Sequence, residues 1–162
     1  MDKNIKVGII SDTHGLLREE VKNILQECDY IVHGGDINKQ VVIDELEKIA
    51  PLYVVRGNND KEWAEHLAND LRFELAGVRF YMVHDKKFVP NDLHDVDVIV
   101  FGHSHKYYED VKDGVLWLNP GSCGRRRFDQ SISMAVMTIK SGEGEIEKIE
   151  KIEKIELNPD MK

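Results

Sequence analysis

The sequence predicts an α/β protein with two packed sheets, and three observations carry that reading. Short aliphatic runs alternate with amphipathic stretches through the first half, and paired runs flank tight-turn dipeptides in the second. Polar side chains able to bind metal stand directly after the aliphatic runs. Strand and helix alternation argues for parallel βαβ units, and runs paired across a short turn argue for antiparallel hairpins.

Val7 to Ile10 reads as a buried strand, and Glu19 to Gln26 as a helix with Val21, Ile24 and Leu25 on one face. Tyr30 to His33 is the next strand. Val41 to Ile49 is a second helix, with Val42, Leu46 and Ile49 at helical spacing, and Leu52 to Val55 a third strand. Arg72 to Leu75 and Val78 to Val83 flank Ala76-Gly77, while Tyr107 to Val111 and Leu116 to Asn119 flank Asp113-Gly114, so both pairs read as hairpins. Between them Val98 to Phe101 is a short buried strand. Ser133 to Ile139 alternates in the manner of a strand, and Gly142-Glu143-Gly144 turns the chain back. Ile146-Glu147-Lys148 then recurs at a period of three, which fits neither strand nor α-helix. The expectation is that the last strand uses the first few of these residues and that the rest is a solvated, low-complexity extension.

A chain of 162 residues is the size of one domain, taken here as residues 1–145 with 146–162 as strand end and tail. The longest apolar run, Val98 to Phe101, falls far short of a membrane span, and Met1-Asp2-Lys3-Asn4 leads into the first strand without a signal-peptide pattern. The expectation is a cytoplasmic protein with no membrane association. Lys and Arg number 22 against 30 Asp and Glu, a net charge of -8 that disfavours bulk binding to nucleic acid. Cys28 and Cys123 lie far apart and read as reduced packing residues rather than a disulfide or thiolate metal site.

Asp12 and His14 follow the first strand, Asp36 the second, Asn58 the third, His84 the strand ending at Val83, and His103 with His105 the strand ending at Phe101. In α/β sheets the crevice beyond the strand C-termini is where ligands bind, so these seven residues are expected to converge. All offer nitrogen or oxygen, and the four imidazoles suit Mn, Fe, Zn, Ni or Co better than Mg or Ca. Seven donors exceed the needs of one ion and suit two ions about 3.5 to 4 Å apart sharing a carboxylate. Two divalent ions less Asp12 and Asp36 leave a charge of roughly +2, which suits a phosphoryl group. A water bridging such ions would be acidified to hydroxide near neutral pH and could attack in line.

The ordered set Asp12-Thr13-His14, Gly34-Gly35-Asp36, Gly57-Asn58, His84 and Gly102-His103-Ser104-His105 resembles the calcineurin-like metallophosphoesterases. Chain length and Asn119-Pro120-Gly121-Ser122 are similar to the small single-domain YfcE-type phosphodiesterase branch. The resemblance covers Val7 to about Lys140. It implies a four-layer αββα sandwich of two mixed sheets. It implies that Asp12, His14 and His105 hold one metal, that Asn58, His84 and His103 hold the other, and that Asp36 bridges them, with manganese the ion most suggested. The expected activity is hydrolysis of a small phosphate ester, most simply a diester, with homo-oligomerisation left open. The alternative the resemblance carries is a non-catalytic protein-interaction scaffold on the same fold, similar to the retromer subunit.

Where many family members have a His after the Gly-Asn pair, this chain has Asn59 and then Asp60, and His84 is followed by Asp85 where Gly is common. Asn59 can donate a hydrogen bond to phosphate but cannot deliver a proton, so Asn58, Asn59 and Asp60 are the candidate catalytic positions and the source of the leaving-group proton stays open. Asn59 and the cluster Arg125, Arg126 and Arg127 are the candidate substrate contacts. No Cys-x5-Arg, Gly-x-Ser-x-Gly, Walker A or GxGxxG pattern occurs. His33 reads as a core or supporting residue, His66 and His94 as surface, and Trp63 and Trp117 as core or interface aromatics.

Overall fold

The computed structural model describes residues 3–126, 131–141 and 149–157. In chain order the elements are β1 (Lys3–Ile10), α1 (Glu19–Leu25), β2 (Tyr30–His33), α2 (Gln40–Ile49), β3 (Leu52–Val54), β4 (Asp70–Leu75), β5 (Val78–Val83), β6 (Val98–Val100), β7 (Tyr107–Lys112), β8 (Val115–Pro120), β9 (Ile132–Ser141) and β10 (Ile149–Leu157). Short 3₁₀ turns occupy Glu62–Ala64 and Lys86–Phe88.

Two five-stranded sheets result, ordered β10-β9-β1-β2-β3 and β4-β5-β6-β8-β7. In the first, β1, β2 and β3 are parallel, while β9 runs antiparallel to β1 and β10 to β9. In the second, β5, β6 and β8 are parallel and the hairpin partners β4 and β7 close the edges. Both sheets are therefore mixed. The turns of the two hairpins form as their dipeptides require, with positive φ at Ala76, Gly77, Asp113 and Gly114.

The core between the sheets is built from alternate residues such as Val7, Ile9, Phe80, Met82, Met137 and Ile139. Burying each such side chain contributes about 1.5–3 kcal/mol. On the outer face of the first sheet, α1 and α2 bury Val21, Leu25, Val42, Ile43 and Leu46 against Ile10, Ile31 and Met134. Glu19 and Glu20 in the first turn of α1 complement the helix dipole in the absence of a side-chain cap. The outer face of the second sheet is covered thinly, by the Lys86–Phe88 turn and the segment that brings Val89, Leu93 and Val96 onto Tyr81, Ile99 and Phe101.

The repeat tail corrects one expectation. Much of it is strand β10 rather than a solvated extension, and it lies on β9 through Leu157↔Ile132. A period of three puts Ile152 and Ile155 on opposite faces of a strand. A register shift between Ile149 and Lys151 then returns Ile149 to the face of Ile152. Ile149 and Ile152 pack on the inter-sheet core, and Ile155 and Leu157 pack toward the helices. The glycine turn at 142–144, the first Ile-Glu-Lys unit and Arg127 lie outside the described residues.

Candidate metal centre

Because β1, β2, β3, β5 and β6 point the same way within their sheets, the loops after them gather at one edge of the sandwich. Backbone bonds lace these loops together: Asp12 N–H donates to Gly35 O at 2.9 Å, His14 N–H to Asp36 O at 3.0 Å, and Gly102 N–H to His84 O at 2.9 Å. Asp12, His14, Asp36, His103 and His105 all take positive φ, between 48° and 77°. Each such residue costs about 1 kcal/mol or more, so strain concentrates on five of the predicted donors. Two glycines permit the crowding. A Cβ on Gly35, at φ +105°, would sit 2.8 Å from His84 Nδ1, and one on Gly102 would sit 2.6 Å from Asp12 Oδ2.

Five of the seven predicted residues, Asp12, His14, Asp36, His84 and His105, meet in a buried cluster. His14 Nε2 lies 3.3 Å from His105 Nε2, and Asp12 Oδ1 lies 3.7 Å from the first and 3.4 Å from the second. Asp36 Oδ2 lies 3.7 Å from His14 Nε2 and 3.2 Å from His84 Nε2. Asn58 and His103 are exposed at the rim, where His103 Nδ1 and Asn58 Oδ1 are 3.3 Å apart and the His103 ring meets the His84 ring edge-on at 5.3 Å.

The donor atoms fit a metal. Asp12 Oδ2 accepts from Ser11 Oγ at 2.7 Å and from the His103 N–H at 3.2 Å, which turns Oδ1 toward the imidazoles without a hydrogen-bond partner. His84 Nδ1 donates to Gly34 O at 2.7 Å, which aims Nε2 into the cluster, close to Asp36 but not aligned with it as a hydrogen bond. Burial opposes ionisation of Asp12, yet His105, His14, His84 and Ser11 hold its carboxyl far below the usual range. Burial likewise opposes a charged His84, but the Asp36 and Asp12 carboxylates outweigh it and raise its pKa to about 9. Two ionised carboxylates buried together are costly unless cations face them. Asp12, His14 and His105 form one group with donor atoms within 4.8 Å, and Asp12, Asp36 and His84 form another.

Two neighbours, Ser122 and Asn119, have roles that the sequence does not reveal. Ser122 Oγ donates to Asp12 O at 3.0 Å, and Asn119 Nδ2 donates to Gly102 O at 3.1 Å and Ser104 Oγ at 3.2 Å. The buried Asp60 carboxylate accepts from the backbone N–H groups of Asp36, Ile37, Asn38 and Gly57 at 2.8 to 2.9 Å. Its oxygens are thus engaged in tying the β2 loop to the β3 loop. Asn59 turns onto Asp36, giving its N–H to Oδ1 at 2.8 Å and its amide to Oδ2 at 3.3 Å. Arg125 Nε reaches His14 O at 3.4 Å, and Arg126 is exposed. His66 and His94 are exposed.

His33 is wholly buried beneath the centre. Its Nδ1 accepts from Gly35 N–H at 3.0 Å, so its Nε2 carries the proton toward Thr13 Oγ1, also at 3.0 Å. Burial lowers its pKa from 6.5 to about 4. An unfolded chain binds this proton below about pH 6.5 while the folded chain does not, so folding stability should fall as pH drops from 6.5 toward 4, by up to about 3 kcal/mol. Urea unfolding with chelator at pH 7 and pH 4.5 should show a shallower acid loss for His33→Gln than for the parent. Parallel pH dependences would refute the assignment.

The calcineurin-like phosphoesterase superfamily domain matches residues 5–142, and the chain belongs to that superfamily. It is 34% identical over 155 residues to the probable metallophosphoesterase YsnB of Bacillus subtilis, covering 85% of this chain and 86% of that one. It is 30% identical over 142 residues to the phosphodiesterase MJ0936 of Methanocaldococcus jannaschii, covering 74% and 84%. Among solved structures, vacuolar protein sorting 29 of Cryptosporidium parvum aligns with a TM-score of 0.74 at 19% identity over 95% of this chain and 98% of that one. The phosphoesterase YfcE of E. coli aligns at 0.68 and 22% identity over 92% and 98%. At these identities the structures establish the fold. Among the described residues no helix is long and apolar enough to cross a membrane.

Proposed function

We propose that this metallophosphoesterase is a phosphodiesterase working with two divalent transition-metal ions. The observation that carries the reading is the pair of buried, ionised carboxylates, Asp12 and Asp36, facing imidazole nitrogens, with Asp12 Oδ1 and His84 Nε2 making no hydrogen bond. Asp12, His14 and His105 would hold one ion, and His84, His103 and Asn58 the other. Asp36 Oδ2, placed between His14 and His84, would be shared. Bound ions would acidify water and withdraw charge from phosphoryl oxygens. The family resemblance suggests manganese, and the nitrogen and oxygen donors suit zinc, iron, nickel or cobalt as well.

The chain itself contributes orientation. Gly34 O fixes the tautomer of His84, and Asn59 steadies Asp36 through both of its oxygens. Charged groups held apart from solvent in strained loops favour catalysis over a scaffold on the same fold. Exhaustive chelation should reduce hydrolysis of bis(p-nitrophenyl) phosphate to background, and Mn²⁺ should restore it. Undiminished turnover in the chelated protein would overturn the proposal.

Asn59 supplies no proton, and the Asp60 oxygens are engaged by backbone N–H groups. A general acid contributes about 10²–10⁴-fold. An aryl diester should therefore be cleaved at least about 100-fold faster than a dialkyl diester, whose leaving group needs that proton. Comparable kcat/KM for the two would show that another group protonates the leaving oxygen.

A further inference from the structure

Beside the metal-binding residues the surface opens into a cavity of about 690 Å³, a size typical of small-ligand pockets. Asn58, His84 and His103 line it, so it is continuous with the centre. It is also lined by Phe88, which is 64% exposed. Among the described residues the other large exposed hydrophobic side chains are the aliphatic Val41 and Val111, so Phe88 is the aromatic that stands out in water. It sits on the one-turn 3₁₀ segment after β5, whose start is capped by Asp85 accepting from the Lys87 N–H at 3.1 Å. The ring is thus presented by ordered backbone two to four residues beyond the metal-binding His84.

The rest of the cavity is not plain hydrocarbon. Tyr81 lines it with its hydroxyl donating to Asp70 at 2.9 Å, and the exposed Asn69 and Asp70 line it too. An aliphatic group in this space would make no use of the amide and the carboxylate that line it. A flat heteroaromatic ring would meet both demands, with a π-face for Phe88 and a polar edge for Asn69 and Asp70.

We infer that this cavity binds a heteroaromatic ring carried on one ester arm of the substrate, which makes the substrate class a nucleotide-like phosphodiester with Phe88 as its stacking residue. The inference rests on the phosphodiesterase reading above, because it places the phosphate at the centre whose His84 and His103 also line the cavity with Phe88.

Adenosine 5′-monophosphate and ribose 5-phosphate share a sugar and a phosphate and differ in the base. Titration calorimetry of the Mn²⁺-loaded protein should find the first bound about ten-fold or more tighter, as base stacking on an aromatic side chain gives. Phe88→Ala and Phe88→Leu should erase the preference, and Phe88→Tyr should keep it. Because Phe88 is exposed, circular dichroism of the variants should match the parent. Equal affinity of the two ligands for the parent would overturn the inference, as would a preference that survives Phe88→Ala. Metal-dependent hydrolysis of bis(p-nitrophenyl) phosphate without a base preference would sink the ring pocket alone. A base preference lost in Phe88→Ala, in a protein that cleaves no diester with any metal, would support the pocket and sink the phosphodiesterase reading.

Discussion

Replacing Asp36 by Ala should lower metal-dependent diester hydrolysis by roughly 10³-fold or more, a larger loss than any single exposed donor would cause. Residues that merely support a metal ligand are worth about 10–100-fold, so a donor placed between two imidazole groups must exceed that. The geometry gives the reason. Asp36 Oδ2 faces His14 on one side and His84 on the other, whereas Asn58 and His103 face each other at the rim. Asp36→Asn keeps the shape while removing the charge, so it separates electrostatics from packing. Its metal content, measured by elemental analysis after gel filtration, should fall below that of Asn58→Ala. An Asp36→Ala protein that retains two ions and near-parental turnover would show that the shared donor lies elsewhere, with Asp12 the next residue to test.

The positions of the candidate donors were legible because strand ends are local features. A short aliphatic run followed at once by Gly or a polar residue identifies a strand and its C-terminal loop without knowledge of the partner strands. The hairpins were legible for the same reason, since Ala76-Gly77 and Asp113-Gly114 set their own turns. The parallel pairing of β5, β6 and β8 was not, because contacts between strands separated by long connections leave no periodic trace in sequence. The period-three tail misled for a specific reason: an edge strand that buries isoleucines on both faces does not alternate. At the centre, residue types told which side chains could donate, but the five-inside, two-at-the-rim division depends on burial. The cavity lined by Phe88 and Tyr81 was invisible, as these residues carry no motif and meet only through folding.

Asp60→Ala should be the most destabilising single change at the site, although Asp60 is not among the proposed metal donors. Its carboxylate accepts four backbone N–H bonds, from Asp36, Ile37, Asn38 and Gly57, and is itself buried. Alanine would strand all four donors. An unsatisfied buried N–H costs about 1–3 kcal/mol, so even at the low end of that range the total is about 4 kcal/mol. Asp60→Asn retains one oxygen able to accept two of the bonds and should lose about half as much. Both variants should also bind metal more weakly, because the two loops that Asp60 joins carry Asp36 and Asn58. Urea titration of the chelated proteins isolates folding from metal affinity: Asp60→Ala should unfold at markedly lower urea than the parent, and Asp36→Ala should stay much closer to it. If chelated Asp60→Ala were within 1 kcal/mol of the parent, the loops would be held by their mutual backbone bonds, and Asp60 would regain its claim to act on the substrate.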